Sequence, residues 1–131
     1  AQDYGEALKW YRAAAAKSDP DAQFRLALMY ATGKGVDVDS AEARTWMFRA
    51  AENGQLEAGN YVGWMYDTGT GVPQDQSRAV MWFRRVAEAG LPASQVNLAF
   101  MYENGRGVAP SAREAFAWYL KTNSMKLQRV V

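Results

Sequence analysis

Apolar residues along this chain fall into two alternating helical patterns. Between residues 21 and 32, Ala22, Leu26, Met29 and Tyr30 stand at i, i+4, i+7 and i+8, which is one face of a helix. Between residues 3 and 18, Ala7, Trp10, Tyr11, Ala14 and Ala15 mark a second face of the same kind. Both patterns recur at a fixed interval of 36 residues: Trp10, Trp46, Trp82 and Trp118; Tyr30, Tyr66 and Tyr102; Met29, Met65 and Met101. The loop glycines keep the same step, as Gly33/Gly35, Gly69/Gly71 and Gly105/Gly107. Each first helix ends at a glycine suited to the left-handed conformation. Each second helix begins at a good N-cap, Asp3, Asp39, Asp75 or Ser111, and Glu6, Glu42 and Glu114 stand where a capping box is completed. Gly54 and Gly90 close the second and third copies, with Ser18 and Lys126 in that slot elsewhere. The spacing predicts about seven helices and no strand.

An isolated helix pair of this size cannot bury a Trp and its aromatic neighbour. Stacking successive antiparallel pairs does, and builds an α-solenoid. The chain then divides into units 3–38, 39–74, 75–110 and a partial 111–131, forming a single repeat domain over 1–131. Ala27, Gly63 and Ala99 share a small-residue slot where backbones can approach closely.

Composition removes most chemistry. The 131 residues contain no His and no Cys, so His bases, Cys nucleophiles, disulfides, Cys/His zinc sites and haem ligation are all unavailable. Fifteen Lys and Arg against fourteen Asp and Glu leave a net charge of +1, which gives no basic face for nucleic acid. No apolar run approaches the ~20 residues of a membrane span. Gly33-Lys34-Gly35 superficially suggests phosphate binding, but no strand precedes it and the loop recurs in register, so turn chemistry explains it better. Most carboxylates fall in N-cap or first-turn slots, where the helix dipole accounts for them. With no nucleophile–base pairing in view, the chain reads as a non-enzyme that needs neither cofactor nor metal. The register tryptophans read as core, and Arg12, Arg49, Arg84, Arg85 and Lys121 as a solvated face near helix C-termini.

The series Ala43, Trp46, Ala50, Ala51, Gly54, Ala58, Met65, Tyr66, Gly69, Gly71, Val72 and Asp75, with its flanking copies, resembles the Sel1-like repeat family, a relative of the tetratricopeptide repeats. The resemblance runs from Asp3 to about Lys121. It implies a right-handed α-solenoid that scaffolds protein complexes in bacterial envelope, secretion or signalling pathways, with the periplasm or envelope favoured over the cytoplasm. It implies no single activity. Several bacterial members carry a Cys pair per unit, and this chain has none. Copies also drift, with Val62 in a Leu slot and Gly59 in a Gln slot.

Function should lie in the slots that vary while the core slots stay fixed. With Leu26 at the centre of the buried face and 100° per residue, positions 24, 28 and 31 point outward. Across the copies they read Phe24, Leu28 and Ala31; Asn60, Trp64 and Asp67; Val96, Phe100 and Glu103. The resemblance places first helices on the concave surface, which yields an apolar ridge of Phe24, Leu28, Trp64, Val96 and Phe100 rimmed by Asp67 and Glu103. Two readings fit that ridge. In one, it is a groove for a partner helix or extended peptide, anchored on Trp64, with Asn60 and Tyr61 alongside. In the other, curvature packs neighbouring first helices together and the ridge buries itself. The predicted function is a protein-interaction scaffold. The alternatives are a structural role, with solenoid ends stacking into a homo-oligomer, and peptidoglycan or carbohydrate binding on Trp64 and Tyr61.

The chain opens mid-unit at Ala1-Gln2-Asp3 without an initiator Met, as expected of a longer protein that was cut, the favoured reading, or of one whose leader was removed during export. At the far end, polar Thr122 and Asn123 replace the buried Ala50 and Ala51, which suits a terminal helix lacking a following neighbour, and that helix is expected to run on toward Val131.

Overall fold

The computed structural model describes residues 3–130, with side chains as far as Asn123. Among the described residues there are seven α-helices and no strand: α1 (Tyr4–Ala16), α2 (Pro20–Thr32), α3 (Ser40–Glu52), α4 (Leu56–Thr68), α5 (Gln76–Glu88), α6 (Pro92–Asn104) and α7 (Ala112–Val130). None of them is long and apolar enough to cross a membrane. The helix that closes the chain does run on, to Val130. The Lys126 slot and Val131 lie outside the described side chains and residues.

Helix boundaries follow from local chemistry. The Asp3, Asp39 and Asp75 carboxylates each accept the N–H three residues on, at 3.1 Å, and the Ser111 hydroxyl does the same for Glu114. The Glu42 carboxylate, placed for a capping box, instead accepts from the Trp46 indole N–H at 3.2 Å. Backbone bonds then latch each second helix to the first: Asp39, Asp75 and Ser111 donate to the carbonyls of Tyr30, Tyr66 and Tyr102. Gly33, Gly69 and Gly105 end the first helices with positive φ. The second loop glycine has a further constraint, because a Cβ on Gly107 would collide with the Gln76 carbonyl at the start of α5. The Gly33/Gly35 and Gly105/Gly107 loops thus lie close on another helix's first turn, at Tyr4 of α1 and Gln76 of α5.

The chain divides into two compact units, Ala1–Gly59 and Asn60–Val131. In the first, Leu8, Ala15, Ala22, Leu26 and Met29 form a core against which Tyr11, Tyr30 and Trp46 pack. In the second, Phe83, Leu98, Met101, Tyr102 and Trp118 join small alanines in a larger core. The small-residue slot serves close approach as expected: a Cβ on Gly63 would stand 2.6 Å from the Phe83 ring.

Each unit also holds a buried glutamine that ties three helices. Gln23 donates to the Ala15 carbonyl (3.2 Å) and accepts from Asn53 (3.0 Å). Gln95 donates to the Ala87 carbonyl (3.3 Å) and accepts from the Thr122 hydroxyl (3.1 Å). Thr122 is therefore buried and bonded, not a polar residue left at an uncovered end.

The register tryptophans are not uniformly core. Trp118 is 7% exposed and Trp10 is 71% exposed, with Trp46 and Trp82 between. Trp118 belongs to the core that α6 helps to form, and Trp10 is not among the core residues of the first unit. Nor are the basic residues merely solvated. The Arg49, Arg85 and Lys121 head groups sit 4.8, 5.1 and 4.5 Å from the ring centres of Trp46, Trp82 and Trp118. Three residues further along a helix, each cation reaches the exposed face of its own Trp. Arg12 and Arg84 bond instead to the hydroxyls of Tyr30 and Tyr102.

Candidate functional site

In the second unit, α4 and α6 carry four of the predicted residues at exposed positions. Tyr61 and Trp64 on α4 are 44% and 41% exposed, and Val96 and Phe100 on α6 are 41% and 46% exposed. Their exposure follows from helical phase, because Val62, Met65, Leu98 and Met101 take the buried positions beside them. The Tyr61 and Trp64 rings meet at 5.4 Å with an interplanar angle of 51°, which fixes one aromatic against the other.

The two helices are joined by polar contacts around that apolar patch. The Asn60 carboxamide oxygen accepts from the buried Ser94 hydroxyl (2.6 Å) and from the Asn97 amide (2.9 Å). Asp67 accepts two bonds from the Arg106 guanidinium, at 2.7 and 3.2 Å. So Asn60 and Asp67, both expected in the groove, hold α4 to α6 and its following loop. Glu103 stays exposed and lies near Tyr119. Burial first, and the Glu103 charge second, push the Tyr119 phenol above its ordinary range.

The first unit holds the remaining two ridge residues, Phe24 and Leu28, both half-buried. The Arg25 guanidinium lies 6.0 Å from the Phe24 ring centre. Leu28 lines a cavity of about 600 Å³ between α1 and α2, bordered by Tyr4, Tyr11, Arg25 and Lys34.

Sequence reasoning missed Asn97, Arg106, Arg25 and Lys34. Arg106 shares one loop slot with Lys34 and Thr70 at the 36-residue step, and there it reaches the Asp67 carboxylate.

This architecture places the chain among the α-solenoid repeat proteins. The Sel1 repeat model matches residues 1–19, 20–55, 56–91 and 92–125, and the chain belongs to the Sel1-repeat family. Members of that family are generally non-catalytic scaffolds for protein interactions. A Sel1 repeat protein from Oxalobacter formigenes is 37% identical, with a TM-score of 0.87, over 90% of this chain and 89% of that one. The protein c5321, a protective antigen of uropathogenic Escherichia coli strains displaying an SLR fold, is 35% identical with a TM-score of 0.84. There the match covers 90% of this chain and 25% of c5321, so this chain spans a quarter of its length. Cysteine rich protein B of Helicobacter pylori, at 15% identity and a TM-score of 0.69 over 91% of this chain and 85% of that one, shares the fold. No curated protein matches this chain.

Proposed function

We propose that this chain is a non-enzymatic scaffold that binds a polypeptide, as a partner helix or an extended peptide, on the α4–α6 face of its second unit. The observation that carries this reading is the exposed quartet Tyr61, Trp64, Val96 and Phe100, each above 40% exposed on helices whose other faces are filled. Exposed aromatics set beside aliphatic neighbours are the usual anchors of protein interfaces. Phe24 and Leu28 are the register equivalents in the first unit. Glu103, beside Tyr119, is the exposed carboxylate at the edge, and Asn60 and Asp67 position the helices. Engagement of Asp67 by Arg106 favours a polypeptide over a sugar, which would want free carboxylates beside its stacking rings.

The test compares variants for partner binding and for stability. Trp64→Ala and Phe100→Ala should abolish capture of a discrete polypeptide from a lysate of the native organism. Each should cost under about 1.5 kcal/mol of stability, given rings already half in water. Trp118→Ala, at a buried site, should cost about 3–5 kcal/mol. If Trp64→Ala destabilises as much as Trp118→Ala, the face is internal packing and the proposal fails. Concentration-dependent association, abolished by changes in α1 or α7 but not at Trp64, would favour the structural alternative instead.

A further inference from the structure

The net charge of +1 conceals a partition between helices. α4 and α6 contain Glu57, Asp67 and Glu103 but neither Lys nor Arg. The cations stand instead on α5 and α7, as Arg78, Arg84, Arg85, Arg113 and Lys121. Four of these are engaged there: Arg78 pairs with Asp75, Arg84 bonds the Tyr102 hydroxyl, and Arg85 and Lys121 stack on Trp82 and Trp118. The loop after α6 supplies Arg106, and both of its bonds go to Oδ1 of Asp67, so Oδ2 keeps its acceptor capacity. Trp64 lacks what the stacked tryptophans have. Trp46, Trp82 and Trp118 each carry a cation three residues on, whereas the residue three after Trp64 is Asp67. No cation lies over the Trp64 ring among the described residues, and its ring neighbour is Tyr61.

We propose that the polypeptide on the α4–α6 face is a basic amphipathic segment, whose arginine stacks on Trp64 while an apolar neighbour seats against Val96 and Phe100. This rests on the binding reading above and adds the chemistry of the occupant. An exposed indole face attracts a cation, and a carboxylate one helical turn away strengthens that attraction. Asp67 stands one turn from Trp64, and Glu103 one turn from Phe100, so both aromatic anchors have an acid beside them. Arginine fits better than lysine, because its weakly hydrated plane covers an aromatic face and still offers N–H groups to a carboxylate. With no Lys or Arg on either helix, an acidic segment would meet like charge, so the face selects by sign as well as by shape.

The probe is a phage-displayed library of random peptides of about a dozen residues, selected on the full 131-residue protein. Peptides whose binding is lost with Phe100→Ala report on this face, and they should carry Arg or Lys within a turn of Leu, Phe or Trp. Replacing that arginine by citrulline, its neutral isostere, should weaken binding about tenfold on the wild type. On Trp64→Leu, which keeps apolar bulk but removes the ring face, the same replacement should matter less than about twofold. Glu103→Lys should weaken the arginine peptide and leave the citrulline peptide unchanged. Peptides that depend on Phe100 but carry no cation, or bind equally well as citrulline forms, overturn this proposal and leave the binding face standing. Enrichment of no peptide that depends on Trp64 or Phe100 overturns both. Self-association of the protein, or binding of soluble peptidoglycan fragments, that Trp64→Leu abolishes also overturns it, because the occupant is then a second copy or a glycan.

Discussion

Gly63 offers the sharpest test of how the second unit is packed. It sits mid-helix in α4, where alanine normally stabilises by about 1 kcal/mol through helix propensity. Here an added Cβ would stand 2.6 and 2.7 Å from two carbons of the Phe83 ring. That ring is 1% exposed and boxed in by Leu98, Met101 and Trp118, so it cannot swing into solvent. Relief requires α4 to move or the ring to leave its rotamer, an overpacking cost of about 1–3 kcal/mol. With the propensity gain set against it, Gly63→Ala should lose up to about 2 kcal/mol. Urea unfolding at constant m measures this, and the full loss corresponds to a fall of about 7 °C in melting temperature for a chain of this size. Gly5→Ala is the control. Its Cβ would meet nothing nearer than an Asp3 oxygen at 3.4 Å, so it should be neutral or stabilising. Phe83→Leu removes the colliding ring atoms, so Gly63→Ala combined with Phe83→Leu should cost less than the two single changes summed, by at least about 0.5 kcal/mol. If Gly63→Ala stabilises as Gly5→Ala does, the close approach of α4 to Phe83 is wrong.

Three further outcomes follow from single residues. Ser18 holds φ +66° in the slot of Gly54 and Gly90, so Ser18→Gly should raise stability by about 1 kcal/mol in thermal unfolding, and a loss contradicts the strain argument. Gln95→Leu should cost about 1–3 kcal/mol, because it removes two buried hydrogen bonds, while the Ala87 carbonyl still accepts from the Gly90 N–H and the Thr122 hydroxyl still donates to the Trp118 carbonyl. Adding Thr122→Val should recover part of that loss in the same urea assay. Tyr119 keeps its proton more tightly in the folded state than in the unfolded chain, so its contribution is intact below pH 10 and is lost as pH rises through the raised value. The urea midpoint of the wild type should accordingly fall more between pH 9 and 11 than that of Tyr119→Phe, and equal slopes refute the assignment.

Most of the fold was legible because helices announce themselves locally. The cap aspartates, the glycine stops and the period-3.6 faces each depend on residues within one or two turns. Periodicity then multiplied every local signal by the number of copies. What it could not reveal was contact made at long range. Trp10 and Trp118 occupy the same slot, yet their burial depends on which helix lies against them. Thr122 looks like a polar residue at an uncovered end until the Gln95 carboxamide is placed beside it. The candidate face was half legible for the same reason. Helical phase alone turned Trp64 and Phe100 outward, and they are exposed. Asp67 reads as a free acidic rim in sequence, but a cation 39 residues away claims it. Basic residues three positions after each Trp suggested a solvated face, and stacking on the indole is a geometric consequence that composition does not show.

Site-specific photo-crosslinking tests the central claim most directly. A photoreactive phenylalanine analogue at position 64 or 100 is compared with the same group at Met81 and Phe116, which are 69% and 65% exposed on second helices. Adducts formed in cells of the native organism are then identified by mass spectrometry. The interaction-scaffold account predicts that positions 64 and 100 trap the same discrete polypeptide and that positions 81 and 116 do not. Equal labelling at all four positions, or none at 64 and 100 in a chain that folds normally, would contradict it.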